Sequence, residues 1–502
     1  MIETMAGGVA VFDYDGDSRP DIFFTNGAEI PSLEKTSEKY SNRLYRNVGD
    51  WSFRDVTTEA KLSGAGYSMG ASAADFDNDG HVDLFVAGAF RNLLYRNDGD
   101  GSFDDVTERA GIDSEHWSVA AGWFDYDGDG LLDLFVVNYA EWSMNDDRFC
   151  GDRARGVRVY CHPKYFSPTP NQLYRNLGDG RFENVSKNSE IAAHAGRGMS
   201  VAFADYDGDS RIDAFVTNDN LPNFLFRNRG DGGFDEEALL AGVALLDHGK
   251  PVASMGADFR DYDNDGVPDI AVTALSGETF PIFRNAGDGF FEDRTFASGV
   301  AKASARLAGW SLGLVDLNND GAKDLFAANA HVNDLVEQFE NYVYEQPNSV
   351  FLNVGDGKFR DASAEAGEAF HKRAAHRGSG FADFDDDGLI DVVVSVLGGP
   401  AELWRNVTGV SGASAHWIAF RLIGAESNRD GFGARIRVGD QWNEATSSVG
   451  YASSSHGPVH FGVGSMSKVE EAEIVWPSGE RQVLRDLAVD QVVAVKEPRP
   501  AP

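Results

Sequence analysis

Nine residues starting at Asp75, DFDNDGHVD, recur with the same acid spacing six more times along the 502-residue chain. The other copies are DYDGDSRPD at Asp13, DYDGDGLLD at Asp125, DYDGDSRID at Asp205, DYDNDGVPD at Asp261, DLNNDGAKD at Asp316 and DFDDDGLID at Asp383. Successive starts lie 62, 50, 80, 56, 55 and 67 residues apart. A unit of that length cannot bury its own apolar face, so neighbouring units must share a core. The period suits one propeller blade per repeat.

The flanks say what each unit is made of. A small-residue or alternating run such as ASAA precedes the loop, and a short apolar run such as LFV follows it, so the loop joins two strands. A second phrase follows downstream: NRLYRNVGDWSF at Asn42, NLLYRNDGDGSF at Asn92, NQLYRNLGDGRF at Asn171 and NFLFRNRGDGGF at Asn223. Later versions are FPIFRNAGDGFF at Phe280, NSVFLNVGDGKF at Asn348 and a truncated AELWRN at Ala401. Each full copy reads as strand, Gly-Asp turn and strand. The expected fold is therefore all-β: a seven-bladed β-propeller over residues 1–409, then a small β domain over 410–502.

The acids have a chemical reading. Positions 1, 3, 5 and 9 of the loops are Asp13, Asp15, Asp17 and Asp21; Asp75, Asp77, Asp79 and Asp83; Asp125, Asp127, Asp129 and Asp133; and Asp205, Asp207, Asp209 and Asp213. The last three sets are Asp261, Asp263, Asp265 and Asp269; Asp316, Asn318, Asp320 and Asp324; and Asp383, Asp385, Asp387 and Asp391. Alternate side chains converge when the loop curls, a Gly at position 6 permits the turn, and the carbonyl at position 7 can add an oxygen. Crowded carboxylates repel one another unless a cation intervenes. The spacing thus predicts up to seven oxygen-only sites for a hard cation, Ca²⁺ in preference to Mg²⁺. Ser18 and Ser210 at position 6, and Asn318 at position 3, are expected to weaken three of them.

With a formal charge of -36, nucleic acid is not the expected partner. No run of 18 apolar residues occurs, so no transmembrane segment is expected. Cys150 and Cys161 suit a local disulfide in an oxidising compartment; two free thiols, or a metal pair with His162, are the alternatives.

The acidic loops resemble FG-GAP/VCBS repeats, the calcium-loop blades also found in integrin α-chains. In the tail, SNRDGFGARI, HFGVG and WPSG resemble the ASPIC/UnbV domain that follows such repeats in cartilage acidic protein-like proteins. The resemblance implies a calcium-binding, secreted, periplasmic or envelope protein, with an export signal expected upstream of a chain that opens inside a strand. It also leaves open how the ring closes, since blade seven shows three strands: either residues precede Met1, or the C-terminal domain completes the ring.

If the calcium loops mark the bottom, the long insertions 27–40, 139–170 and 331–346 lie on top, and the last has helical apolar spacing. The approaches to the first strands are expected to meet at the top mouth of the channel. They carry His116, His194, His248 and His376, with Arg197 and Arg306, as candidate acid-base groups. Tyr67, Trp117, Trp310, Lys250, Arg373 and Arg377 are candidate ligand contacts there. Two functions follow. The favoured one is a monomeric extracytoplasmic module that binds a glycan or protein at the top face. The alternative is a calcium-stabilised cyclase, lyase or isomerase acting on a small molecule in the mouth. GYSMG and GWSLG match a nucleophile-elbow pattern, but both fall at the same repeat position, so the repeat explains them and a hydrolase triad is not expected.

Overall fold

A computed structural model describes residues 2–145, 148–409 and 415–499. Seven antiparallel sheets follow one another along the chain, one for each acidic loop. In blade two, strands Tyr67–Ala74, Asp83–Ala89, Leu93–Asn97 and Phe103–Asp105 pair in sequence order. The innermost strands of blades two to four are buried along their whole length and rich in small residues because they pack against both neighbouring blades. A Cβ on Gly122 would stand 2.3 Å from the Phe203 ring of the next blade.

Two devices join each blade to the one before it. Except between blades six and seven, where position 2 is Leu317 and the described residues form no fourth strand, the aromatic at loop position 2 packs on the first residue of the next blade's fourth strand, as in Phe76 with Phe182 (5.6 Å) and Tyr262 with Phe359 (5.4 Å). The Asn at or just past the end of each third strand donates from Nδ2 to the carbonyl of that same position 2. Asn97 reaches Tyr14, Asn176 Phe76, Asn228 Tyr126, Asn285 Tyr206, Asn353 Tyr262 and Asn406 Leu317, at 2.6–2.9 Å. Asn47 of blade one donates to Phe384 of blade seven at 2.9 Å, and Phe53 packs on Phe384, so the circuit closes.

Among the described residues, the C-terminal domain does not complete blade seven with a fourth strand. The blade keeps three strands among those residues, with Glu402–Trp404 outermost. Blades one and seven meet directly instead, where Gly378 N–H donates to Gly7 O. The domain boundary expected at residue 410 and the question of Met1 fall on residues outside those described. The segment 331–346 forms only a short 3-10 turn, Val336–Gln338, rather than a helix. Its aromatics make separate contacts, His331 stacking on Tyr342 at 6.1 Å, and this takes the place of a shared helical face.

The C-terminal residues form two sheets. One orders Val459–Gly464, His416–Ile423 and Gln491–Lys496; the other orders Gln441–Glu444, Arg435–Val438, Lys468–Val475 and Arg481–Ala488. They sit on the acidic-loop face. Ile418, Phe420 and Phe432 share one core with Phe76, Trp123 and Leu132 of the propeller. Asp75 N–H donates to Asp430 (2.8 Å), Arg429 N–H to Asn78 (2.8 Å), and Arg435 donates to Gly266 O (2.6 Å).

Between the two sheets the chain makes a hairpin, Ser448–Val449 and Ser453–Ser455, that runs up the central channel. Its second strand pairs in parallel with Val9–Phe12, extending blade one to six strands. The hairpin touches the innermost strands of the other blades too. Ala452 O accepts from Ala71 N–H, Gly450 N–H donates to Ala257 O, Ser448 Oγ donates to Val201 O, and Ser311 Oγ accepts from Tyr451 N–H. Phe381 N–H donates to Ser455 Oγ, and Ser448 lies against Gly122. The physical reason is an edge problem. Seven innermost strands turn unpaired N–H and C=O groups toward the axis, and a narrow strand with hydroxyl side chains satisfies them.

Candidate metal centres and the roofed top face

The acidic loops curl as their spacing requires. Position 6 has positive φ in each: Gly80 at 95°, Gly130 at 83°, Gly266 at 94°, Gly321 at 93° and Gly388 at 85°, with Ser18 at 69° and Ser210 at 68°. Position 4 is left-handed as well, and carries Gly16, Asn78, Gly128, Gly208, Asn264, Asn319 or Asp386. These are the residue types that tolerate that conformation, a signal present in the sequence that the reading above did not use. Replacing Ser210 by Gly is expected to raise stability by about 0.5–1 kcal/mol by relieving positive φ. A lower denaturation midpoint for Ser210→Gly would show the serine to be otherwise employed. Ser18 is a poorer test because its Oγ accepts from Arg421.

The side chains divide their work. The position-1 carboxylate accepts the position-6 N–H, as Asp75 does from Gly80 at 2.7 Å. Position 9 stitches the loop to the blade. Asp83 accepts from Phe76 N–H (3.1 Å) and Asn97 N–H (2.7 Å), and the other six loops repeat both bonds. In the loops starting at Asp13, Asp75, Asp125, Asp205 and Asp261, three carboxylate oxygens lie within 4.8 Å of one another. The position-3 Oδ1 atoms of Asp15, Asp263 and Asp385 are buried without a hydrogen-bond partner. Burial, with neighbouring carboxylates adding to it, pushes Asp21 and Asp391 up to about 8, Asp75 to about 7 and Asp125 and Asp383 to about 6. An orphaned buried oxygen, an all-oxygen donor set and carboxylates crowded at this range fit a hard divalent cation.

One participant was not anticipated. In five blades the Arg of the YRN-type phrase lies against the position-3 acid: Arg46 with Asp15, Arg175 with Asp127, Arg227 with Asp207, Arg284 with Asp263 and Arg405 with Asp385, at 2.5–2.7 Å, while Arg96 of blade two pairs with Asp98. In blade six the acid is Asn318 and the Arg is Leu352, so charge is lost on both sides together. That paired change was visible in the repeats.

The top mouth is filled rather than open. Tyr451 at the hairpin tip donates from its hydroxyl to Met5 O (2.6 Å) and meets Trp310 edge-on (4.9 Å). Arg377, fully buried, covers Trp310 at 4.0 Å and donates to Thr4 O. Tyr67, Trp117 and Arg197 are buried here as well, so five expected mouth residues are packing groups beneath a roof. Lys250 and Arg373 are exposed on separate blades.

The four histidines do not come together. His376 is buried between Asn329 O and Glu402, His194 lies against Phe224 and Phe226, and His116 and His248 are exposed on other blades. Arg306 is exposed and donates to Asn341 O. The two elbow-like serines, Ser68 and Ser311, are buried in innermost strands. Over the mouth lie the Ile2–Thr4 turn and a hairpin, Cys150–Asp152 with Val157–Val159, closed by a Cys150–Cys161 disulfide. Arg155 from that hairpin reaches the Phe339 ring in the insertion of blade six (5.9 Å). A cavity of about 490 Å³ remains on the opposite side, between the acidic loops and the C-terminal domain.

Together these features define an acidic-loop β-propeller whose channel is occupied by its own C-terminal domain. FG-GAP-like repeats match residues 13–86, 75–136, 159–216, 205–272 and 261–327, more than half of the chain, and ASPIC and UnbV matches 424–502. The chain belongs to the FG-GAP-like repeat family and carries an ASPIC and UnbV domain. Its similar proteins include cartilage acidic protein 1 of Homo sapiens, 27% identical over 330 residues, covering 61% of this chain and 46% of the relative. The Mus musculus protein of that name is 28% identical over 320 residues, covering 60% and 45%. The chain thus spans about half the length of the curated relatives it matches.

Among solved structures, an Agrocybe aegerita lectin that recognises non-reducing terminal N-acetylglucosamine is similar at a TM-score of 0.40 and 18% identity, covering 71% of this chain and 79% of that one. The rhamnogalacturonan lyase YesW is similar at 0.40 and 13%, covering 80% and 72%. Likeness at this level carries nothing about ligand or activity. Among the described residues, no helix is long and apolar enough to cross a membrane.

Proposed function

We propose that the protein is a calcium-stabilised binding module that works outside the cytoplasm and meets a glycan or protein on the top of its propeller. One observation carries this reading: the two faces are used differently. The acidic-loop face is covered by the C-terminal domain, while the top presents exposed insertions on a ring held rigid behind them. The disulfide supports an oxidising compartment.

In this reading the carboxylates at positions 1, 3, 5 and 9 hold Ca²⁺, which supplies charge neutralisation and stiffens the hairpin between strands one and two. The arginines at the third strands offset part of the acid charge from outside the cluster. An enzyme using the channel mouth finds no supporting geometry, since Tyr451 fills that mouth and the histidines are separate.

The test is a panel of glycans and proteins probed with the calcium-loaded protein, each hit repeated with top-face and loop-face charge variants. Binding that responds to top-face variants supports the proposal. Hits that respond only to loop-face variants, or turnover of a panel member, would overturn it.

A further inference from the structure

We infer that the disulfide-closed hairpin on the top face is an anion-recognition surface, and that its ligand is an acidic polysaccharide bearing carboxylates or sulfates. This rests on the top-face reading above and names the ligand class for it.

Charge is the first observation. The chain carries a formal charge of -36, yet between Arg148 and Tyr165 stand five cations, Arg148, Arg153, Arg155, Arg158 and Lys164, against one acid, Asp152. Asp146 and Asp147, just upstream, lie outside the described residues. All five cations are exposed. Asp152 is engaged in capping the turn, accepting from Ala154 and Arg155 N–H.

How the cations are held is the second observation. Arg148 and Lys164 both lie on the Tyr165 ring (5.0 and 5.3 Å), Arg153 on Phe149 (4.7 Å) and Arg155 on Phe339 (5.9 Å). None of these four pairs with a carboxylate among the described residues, whereas the arginines of the third strands pair with the acids of their own loops. A guanidinium held over a ring, without a carboxylate partner, has N–H groups available to take an oxyanion in a two-point hydrogen bond. The disulfide and the contact with blade six hold these edges over the roof.

Three considerations select the ligand. The remaining surface is acidic, so attraction is local, falling off within about 8 Å at physiological salt. That favours a narrow anionic chain over a duplex, which packs one charge per ~1.7 Å against a broad basic footprint. Tyr165 and Phe339 are 46% and 41% exposed, and exposed aromatic rings beside the cations suit the apolar face of a sugar ring. The disulfide argues for an oxidising compartment, where nucleic acid is not the usual polyanion.

The test uses the full chain in calcium buffer, with immobilised heparin for sulfate and hyaluronan for carboxylate. Wild-type protein should be retained on at least one, and released as salt rises. The double variant Arg153→Glu with Arg155→Glu should lose affinity by roughly tenfold or more, with a melting temperature little changed because both side chains are exposed and the disulfide still closes the hairpin. Lys302→Glu, an exposed cation in blade six, should bind as wild type does.

Equal retention of the hairpin variant would overturn the inference. So would stronger wild-type binding to duplex DNA, anionic vesicles or polyglutamate than to either glycan. Binding of neutral glycans alone would sink the inference and leave the binding-module reading standing. A folded, calcium-loaded protein that binds nothing in the panel would sink both.

Discussion

Removing calcium with EDTA should lower the melting temperature by about 15–20 °C. If the proposed sites all hold Ca²⁺, each one near 100-fold saturation contributes about 2.7 kcal/mol, the three weakened loops contribute less, and a chain of this size unfolds with an entropy of about 1 kcal/mol per kelvin. The structural reason is specific. Position-3 oxygens in three loops are buried without a partner, and buried position-9 carboxylates hold each loop to its blade.

The same carboxylates set the pH dependence of the metal-free protein. Asp21, Asp324 and Asp391 are pushed up to about 8 by burial, and Asp75 to about 7, against about 3.9 in the unfolded chain. The folded state therefore binds more protons than the unfolded state between about pH 4 and pH 8, and stability falls as pH rises through that window. EDTA-treated protein should melt higher at the acidic end of the window than at the alkaline end. With Ca²⁺ present the ordering should vanish or reverse, because the cation stabilises the deprotonated acids. Coincident melting curves with and without EDTA at alkaline pH would remove calcium from the account.

Cutting the C-terminal hairpin out of the channel should be equally severe. A chain ending at residue 409 uncovers the shared core of Phe76, Trp123 and Leu132 and leaves innermost strand edges unpaired, so it should aggregate. Two point variants make the test finer. Tyr451→Ala deletes a fully buried ring that bonds Met5 and packs on Trp310, at a cost of about 3–5 kcal/mol. Gly450 has φ 64°, and a Cβ there would stand 2.1 Å from Ser311 Oγ and 2.7 Å from Leu312 O, so Gly450→Ala should also be strongly destabilising. Gly457→Ala, where nothing lies within 4 Å, is the matched control. A monomeric, cooperatively melting 1–409 fragment would show that the channel needs no filling.

The repeat made much of the fold legible. Seven acidic loops with a YRN phrase downstream carry the strand count, the blade order and the side on which the loops lie, because every blade solves the same local problem with the same residues. Position 6 was readable for the same reason, down to Ser18 and Ser210 adopting the φ expected of glycine. Position 4 and the arginines were written in the same register and could have been read from it.

The top face was another matter. Trp310 and Arg377 carry the residue types of a ligand site, and the sequence places them near the axis, but burial turns them into packing groups. What buries them is SSVGYASSSH, a stretch that the sequence places in the small C-terminal β domain, with nothing local to send it into the channel. Repeats reveal contacts that recur between adjacent units. The hairpin meets the blades through different residues of its own, across separations such as 381 residues between Ala73 and Ser454, and leaves no period to detect. The sequence by itself determined the blades and their acidic loops, because these rest on local spacing. Only the tertiary structure decided that the channel is closed, because that depends on which distant segment satisfies seven unpaired strand edges at the axis.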